Sequence, residues 1–179
     1  MSVTPIRDRP GTPDAGATRP AGEPVWDLIE LLFFAYRDFV GDADEALAKF
    51  GFGRAHHRVL HFVTRHPGIK VADLLDILNI TKQSLGRVLK QLVDQGYVLQ
   101  KEGESDRRQR LLYATPKGEA LAMKLAGLQT ERIARALADI GPGAYEDARS
   151  FLIAMIDSRE RDHVLQLITR ADRLRHGKN

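Results

Sequence analysis

The chain has 179 residues, of which 43% are hydrophobic and 28% charged, with a net charge of +3 at neutral pH. That length allows one substantial domain, or a small domain with an oligomerisation element, and excludes two large ones. No apolar run approaches the roughly 20 residues of a membrane helix, and the absence of cysteine excludes disulfides, thiolate metal sites and thiol-based oxidation sensing.

Residues 1–24 hold Pro5, Pro10, Pro13, Pro20 and Pro24 and almost no large apolar side chains, which predicts a disordered tail. Arg7, Arg9 and Arg19 are largely cancelled there by Asp8, Asp14 and Glu23, so a DNA-reaching arm is the weaker reading. The tail lacks the apolar segment of a secretory signal, and the expected location is the cytoplasm, with no membrane partner.

Helical periodicity begins at Val25 with Leu28, Leu31, Leu32 and Phe39, and Gly41 is expected to interrupt or bend it before Ala43 to Phe50. The apolar stretches Leu28 to Tyr36 and Phe151 to Ile156 read as core helices. A second helix is expected from Arg54 to His66, stopped by Pro67 and Gly68. A short third helix follows over Val71 to Leu78, with Val71, Leu74, Leu75 and Leu78 on one face.

Asn79 suits the left-handed residue of a tight turn, and Thr81 suits the cap of the next helix, giving a helix–turn–helix. That next helix places Leu85, Val88, Leu89, Leu92 and Val93 on one face and Gln83, Arg87, Lys90 and Gln91 on the other, and Gly96 ends it. Tyr97 to Lys101 and Arg110 to Ala114 then read as a two-stranded hairpin, a wing. Thr115 and Pro116 start a long helix towards Ile140, Gly141-Pro142-Gly143 break it, and a further helix carries Tyr145, Leu152 and Met155. After a charged interruption at Ser158 to Arg161, an amphipathic stretch runs from Asp162 to Leu174.

The expected fold is therefore mainly α with a small β-hairpin wing. The organisation is a tail (1–24), an N-terminal dimerisation segment (25–53), a winged helix–turn–helix lobe (54–115), C-terminal dimerisation helices (116–157) and a helical extension (158–179). The flanking helices hold more apolar residues than a small winged helix buries, which calls for a second copy of the chain.

The chemistry concentrates in the middle of the sequence. A helix fits the major groove of double-stranded DNA with its first turn towards the base edges, and here that turn is Thr81, Lys82, Gln83 and Ser84, followed by Arg87 and Lys90. Gln suits adenine and Arg suits guanine through bidentate hydrogen bonds. In the wing, Asp106 is placed to hold a neighbouring arginine, Arg108 to reach a minor groove, and Arg107 or Arg110 to bind phosphate.

His56, His57 and His61 cluster on the second helix. They read as candidate lining of a ligand pocket, and the His57/His61 pair, at i, i+4 spacing, is also the start of a metal or haem site without a third ligand. No metal or cofactor is therefore assigned. There is no glycine-rich phosphate loop, nucleophile elbow or acid/base pair, so an enzyme is not expected.

Two segments carry a family resemblance: Val71-Ala72-Asp73-Leu74-Leu75 through Thr81-Lys82-Gln83-Ser84-Leu85-Gly86-Arg87-Val88, and Asp106-Arg107-Arg108 followed by Leu112-Tyr113-Ala114-Thr115-Pro116-Lys117-Gly118. On these the chain resembles the MarR family of bacterial transcriptional regulators over about Trp26 to Ile156. The resemblance implies a triangular homodimer binding a palindrome through two winged-helix lobes, with Ser84 and Arg87 as recognition contacts and Asp106 with Arg108 as the wing pair. It also implies a small anionic or phenolic effector between the dimer helices and the lobe.

The expected mechanism is that the dimer occludes or organises a promoter, repression being the expected outcome, and that a signal shifts the spacing of its recognition helices. The competing reading is a winged-helix protein-interaction module that does not bind DNA, with a metal- or haem-responsive regulator as a further one.

Overall fold

The structure, a computed structural model, describes residues 22–103, 106 and 108–176. The tail expected over 1–24 lies almost wholly outside these residues, as does Arg107. In chain order the elements are α1 (Trp26–Ala48), α2 (Arg54–Arg65), β1 (Ile69–Lys70), α3 (Val71–Leu78), α4 (Lys82–Asp94), β2 (Val98–Glu102), β3 (Arg110–Ala114), α5 (Pro116–Ile140), α6 (Ala144–Met155) and α7 (Arg161–His176).

One apolar core joins these elements. Leu74 and Leu78 of α3 meet Leu85, Val88, Leu89 and Leu92 of α4, over Val59, Leu60 and Val63 of α2. Val98 of β2 and Leu112 of β3 close it from the sheet, while Ala43 and Leu47 of α1 and Leu121 and Leu125 of α5 close it from the flanks. Each fully buried leucine here contributes about 1.5–3 kcal/mol of transfer free energy, which outweighs the weak propensity of an eight-residue helix such as α3.

Two expectations need correction. Gly41 does not interrupt α1, which runs unbroken through it. A helical glycine costs about 1 kcal/mol against alanine, and the burial of Val40, Ala43 and Leu47 around it offsets that cost. The wing is also not merely a hairpin: β1 pairs antiparallel with β3 through Ile69 with Leu112 and Lys70 with Leu111, giving a three-stranded sheet in the order β1-β3-β2. A two-residue strand is too short to show alternation, and only the turn before it leaves a trace. Gly68 there has φ +81° and donates its N–H to the Leu112 carbonyl at 2.8 Å.

The local signals around α4 are realised as spacing predicts. Asn79 sits at φ 49°, ψ 52°, in the left-handed region. Thr81 accepts the Ser84 N–H at 3.2 Å and donates its hydroxyl to Ser84 Oγ at 2.9 Å. At the other end of the wing, the Thr115 hydroxyl accepts the Gly118 N–H at 3.0 Å and donates to the Gly96 carbonyl at 2.7 Å. Lys117 Nζ donates to the Gln95 carbonyl at 2.9 Å and stands over the Tyr97 ring. A Cβ on Gly118 would lie 2.1 Å from the Tyr97 carbonyl oxygen, so only glycine lets α5 approach the wing root this closely.

The two stretches that read as core helices are open on the single chain. Trp26, Leu31, Phe33 and Phe34 of α1 are 54–69% exposed, and Phe151, Leu152 and Met155 of α6 exceed 50%. Among the described residues, no helix is long and apolar enough to cross a membrane.

Candidate nucleic-acid interface

The face of α4 turned away from the core is polar. Lys82, Gln83, Ser84, Gly86, Arg87, Lys90 and Gln91 are all exposed, while Leu85, Val88, Leu89 and Leu92 anchor the opposite side. The cap fixes the start of this face. Because Thr81 spends its hydroxyl hydrogen on Ser84 Oγ and takes the Ser84 amide, its side chain is committed to the turn. Ser84 keeps its own O–H hydrogen available to an acceptor.

A cleft of about 960 Å³ runs between α3, α4 and the wing, lined by Lys70, Lys82, Lys90, Arg108 and Arg110 together with apolar Val71, Leu85 and Leu89. Asp73 and Asp94 are the acidic residues on its wall. Of the residues expected to bind DNA, Lys82, Lys90, Arg108 and Arg110 line this concave surface, and Thr81, Gln83 and Ser84 do not. Arg87 lies outside the cleft lining, on the exposed side of α4.

Their charges are not equally available. Lys90 is paired with Asp94 one turn on, and Arg110 reaches Glu102 across β2 and β3 at 3.1 Å. Both pairs are exposed, where water and salt screen them, so each holds a side chain in position at little cost to exchange. Asp106 accepts the backbone N–H of Arg108 at 2.9 Å. Among the described residues it thus orders the wing turn through the main chain rather than by gripping the Arg108 guanidinium, which stays exposed.

Sequence reasoning missed Lys70. It lies on β1 immediately before α3 and lines the same cleft as Lys82. Its signal was a lone base between Ile69 and Val71, which becomes meaningful only once β1 is seen to pair with the wing.

The three histidines of α2 diverge. His56 Nδ1 accepts the Gly53 N–H at 3.1 Å, which leaves the ring hydrogen on Nε2 to donate to Gln91 Oε1 on α4. The same ring stacks on Phe52 at 4.6 Å. His57 is buried, and burial pulls its pKa below the ordinary imidazole value, against a weaker opposing pull from Asp44 on α1.

His61 instead lines a cavity of about 390 Å³ between α2 and α5, with Thr64, Arg65, Met123 and Glu131 among its walls. Desolvation first, then the charges of His57, Arg65 and His66, draw its pKa down to about 4, although its exposed edge lets water screen part of that penalty. The hydroxyl oxygen of Thr64 is buried there without a hydrogen-bond partner. Among the described residues no group of three His, Cys, Asp or Glu is arranged to hold a metal ion, so the His57/His61 pair gains no third ligand.

Known proteins of this shape and sequence share one description. The family described as the MarR family matches residues 50–109. The HTH-type transcriptional regulator PetP of Rhodobacter capsulatus is 42% identical over 162 residues, covering 86% of this chain and 96% of that protein. Among solved structures, a SlyA-like transcription regulator from Listeria monocytogenes superimposes with a TM-score of 0.62 at 18% identity, over 82% of this chain and 95% of that one. A MarR variant from E. coli, complexed with operator DNA, gives 0.58 at 18% identity, over 75% and 100%.

Proposed function

The chain belongs to the MarR family of transcriptional regulators, and on that premise we propose that it acts as a homodimer on an inverted repeat in double-stranded DNA. The observation that carries this reading is the convergence of Lys82 and Lys90 of α4 with Arg108 and Arg110 of the wing on one basic cleft. α4 enters the major groove, with Gln83, Ser84 and Arg87 towards base edges and Lys82 and Lys90 towards phosphates. Arg108 follows the wing into the minor groove, and Lys70, Arg107 and Arg110 lie along the backbone. Thr81 and Asp106 act by shaping the two turns. That the E. coli neighbour is complexed with operator DNA supports DNA as the partner.

Residues 25–53 and 116–157 are the dimerisation helices in this reading, and 54–115 the DNA-binding lobe. The support is the run of exposed large apolar side chains on α1 and α6, since contiguous apolar patches mark interaction sites. The working compartment is the cytoplasm, where the DNA is, and promoter occlusion makes the protein a repressor. The His61 cavity, with the unpartnered Thr64 hydroxyl, is the place for a small effector that relieves binding by shifting the lobes.

Selection of bound sequences from a random duplex pool, followed by a salt titration of the best site, tests the reading. An inverted repeat with a steep negative salt slope is the expected result. Arg108→Ala should weaken that complex by about 1–3 kcal/mol. A pool without enrichment, and an Arg108→Ala protein that keeps its partner binding at every salt concentration, would overturn it in favour of a protein-interaction module.

A further inference from the structure

α7 is held at its two ends by different parts of the molecule. At its start, Arg161 Nη2 donates to the Ala154 and Ile156 carbonyls at 3.0 and 3.2 Å, gripping the end of α6. Towards its end, the Asp172 carboxylate accepts Arg65 Nη2 at 2.8 Å, on the last residue of α2. Ala171 beside it is 2% exposed, although most of α7 is open. Between these anchors, Leu167 and Arg170 of α7 face His66 and Ile69 of the lobe across a cavity of about 380 Å³. A single helix of 16 residues, about 24 Å long at 1.5 Å per residue, thus spans from α6 to the outer corner of the winged helix.

α7 thus links α6 to α2 directly, beside the continuous path through α5. We propose that α7 is a brace that fixes the angle between the lobe and the α5–α6 pair, and so selects the spacing of operator half-sites that the protein accepts. The consequence for DNA rests on the operator reading above. One base pair of extra spacer displaces a half-site by about 3.4 Å and turns it around the duplex, so a lobe relieved of a few ångströms of play becomes a spacing filter. Arg65 and Asp172 are positioning residues in this device, since neither lines the basic cleft. Their exposed pair is weak in water on its own, and it acts by registering a helix that Ala171 has already seated.

The test uses the full chain. Because it has no cysteine, Gln95→Cys, exposed just past the end of α4, places one spin label on each lobe. Pulsed dipolar spectroscopy then reads the distance between the protomers' labels without DNA. The expected result is a narrow distribution that broadens when Ala171→Arg forces a long charged side chain into the closed seam. On synthetic duplexes carrying the selected repeat, preference for the cognate spacer over one or two base pairs more should fall from roughly tenfold or above to about threefold or less, with single half-site affinity unchanged.

Arg65→Asp should loosen the distribution more mildly, and adding Asp172→Arg should restore it, a rescue that loss of packing alone does not give. A narrow distribution that persists in both Ala171→Arg and Arg65→Asp overturns the brace, whatever the DNA results. A distribution that broadens as expected, in a protein that enriches no spaced repeat, supports the brace and overturns the operator reading. Absence of any distance between protomers overturns both.

Discussion

The two halves of α1 are both apolar on one face and meet opposite fates. From Val40 to Leu47 the helix buries Val40, Ala43 and Leu47 to 0–5% exposure, the last two within a core shared with α2 and α5. From Trp26 to Tyr36 it carries a denser run of large side chains, and all of them stay open. Apolar periodicity therefore reports that a face needs covering and not what covers it. The buried half has its partner in the same chain, and the open half has no such apolar cover among the described residues.

Three measurements separate those halves, and a fourth tests the burial of the histidines. The largest effect is expected from Leu47→Ala, which empties a fully buried site and should cost about 2–5 kcal/mol of unfolding free energy in a denaturant titration. That loss should appear at any protein concentration. Phe33→Asp, on the open half, should instead raise the dimer dissociation constant roughly 30-fold, or about 2 kcal/mol, in sedimentation measurements. An unchanged dissociation constant would show that the second copy docks elsewhere.

At the boundary between the halves, Gly41→Ala adds a methyl group with no atom within 4 Å on this chain. It should raise stability by about 0.5–1 kcal/mol, and a loss in its place would mean that the partner's backbone approaches there.

The last effect vanishes at neutral pH. Burial lowers the pKa values of His57, His61 and His66 in the folded chain. The unfolded chain therefore takes up protons first, below its ordinary value near 6.5, and the folded one follows only towards about 4 at His61. Stability is full above that upper value and declines as pH falls through the window. His57→Phe should flatten the decline in melting temperature between about pH 7 and 5, and an identical slope would remove His57 from the account.

What the sequence made legible was chemistry between near neighbours. The left-handed Asn79, the Thr81 cap and the Thr115-Pro116 start each depend on residues within four positions, so the spacing carried them. The polar face of α4 was legible for the same reason. Gly41 was misread because propensity lost to tertiary packing, and β1 was missed because its strand identity resides in Leu111 and Leu112, more than forty residues away. Likewise nothing near Arg110 announced its pairing with Glu102 across the strands, and nothing near His56 announced Gln91. The divergence of the histidines followed from which helix packs against each one, a property that i, i+4 counting does not contain.

The contact at Gly118 has a mechanical consequence. With its Cα pressed against the Tyr97 carbonyl and with Thr115 and Lys117 tied to the turn before β2, the root of the wing and the first turns of α5 form one welded joint. A pivot cannot be located there. In the proposed dimer, any signal that changes how far apart the two recognition helices stand must flex α5 further along its length or slide one protomer on the other, and each lobe then travels with its wing as a single rigid jaw.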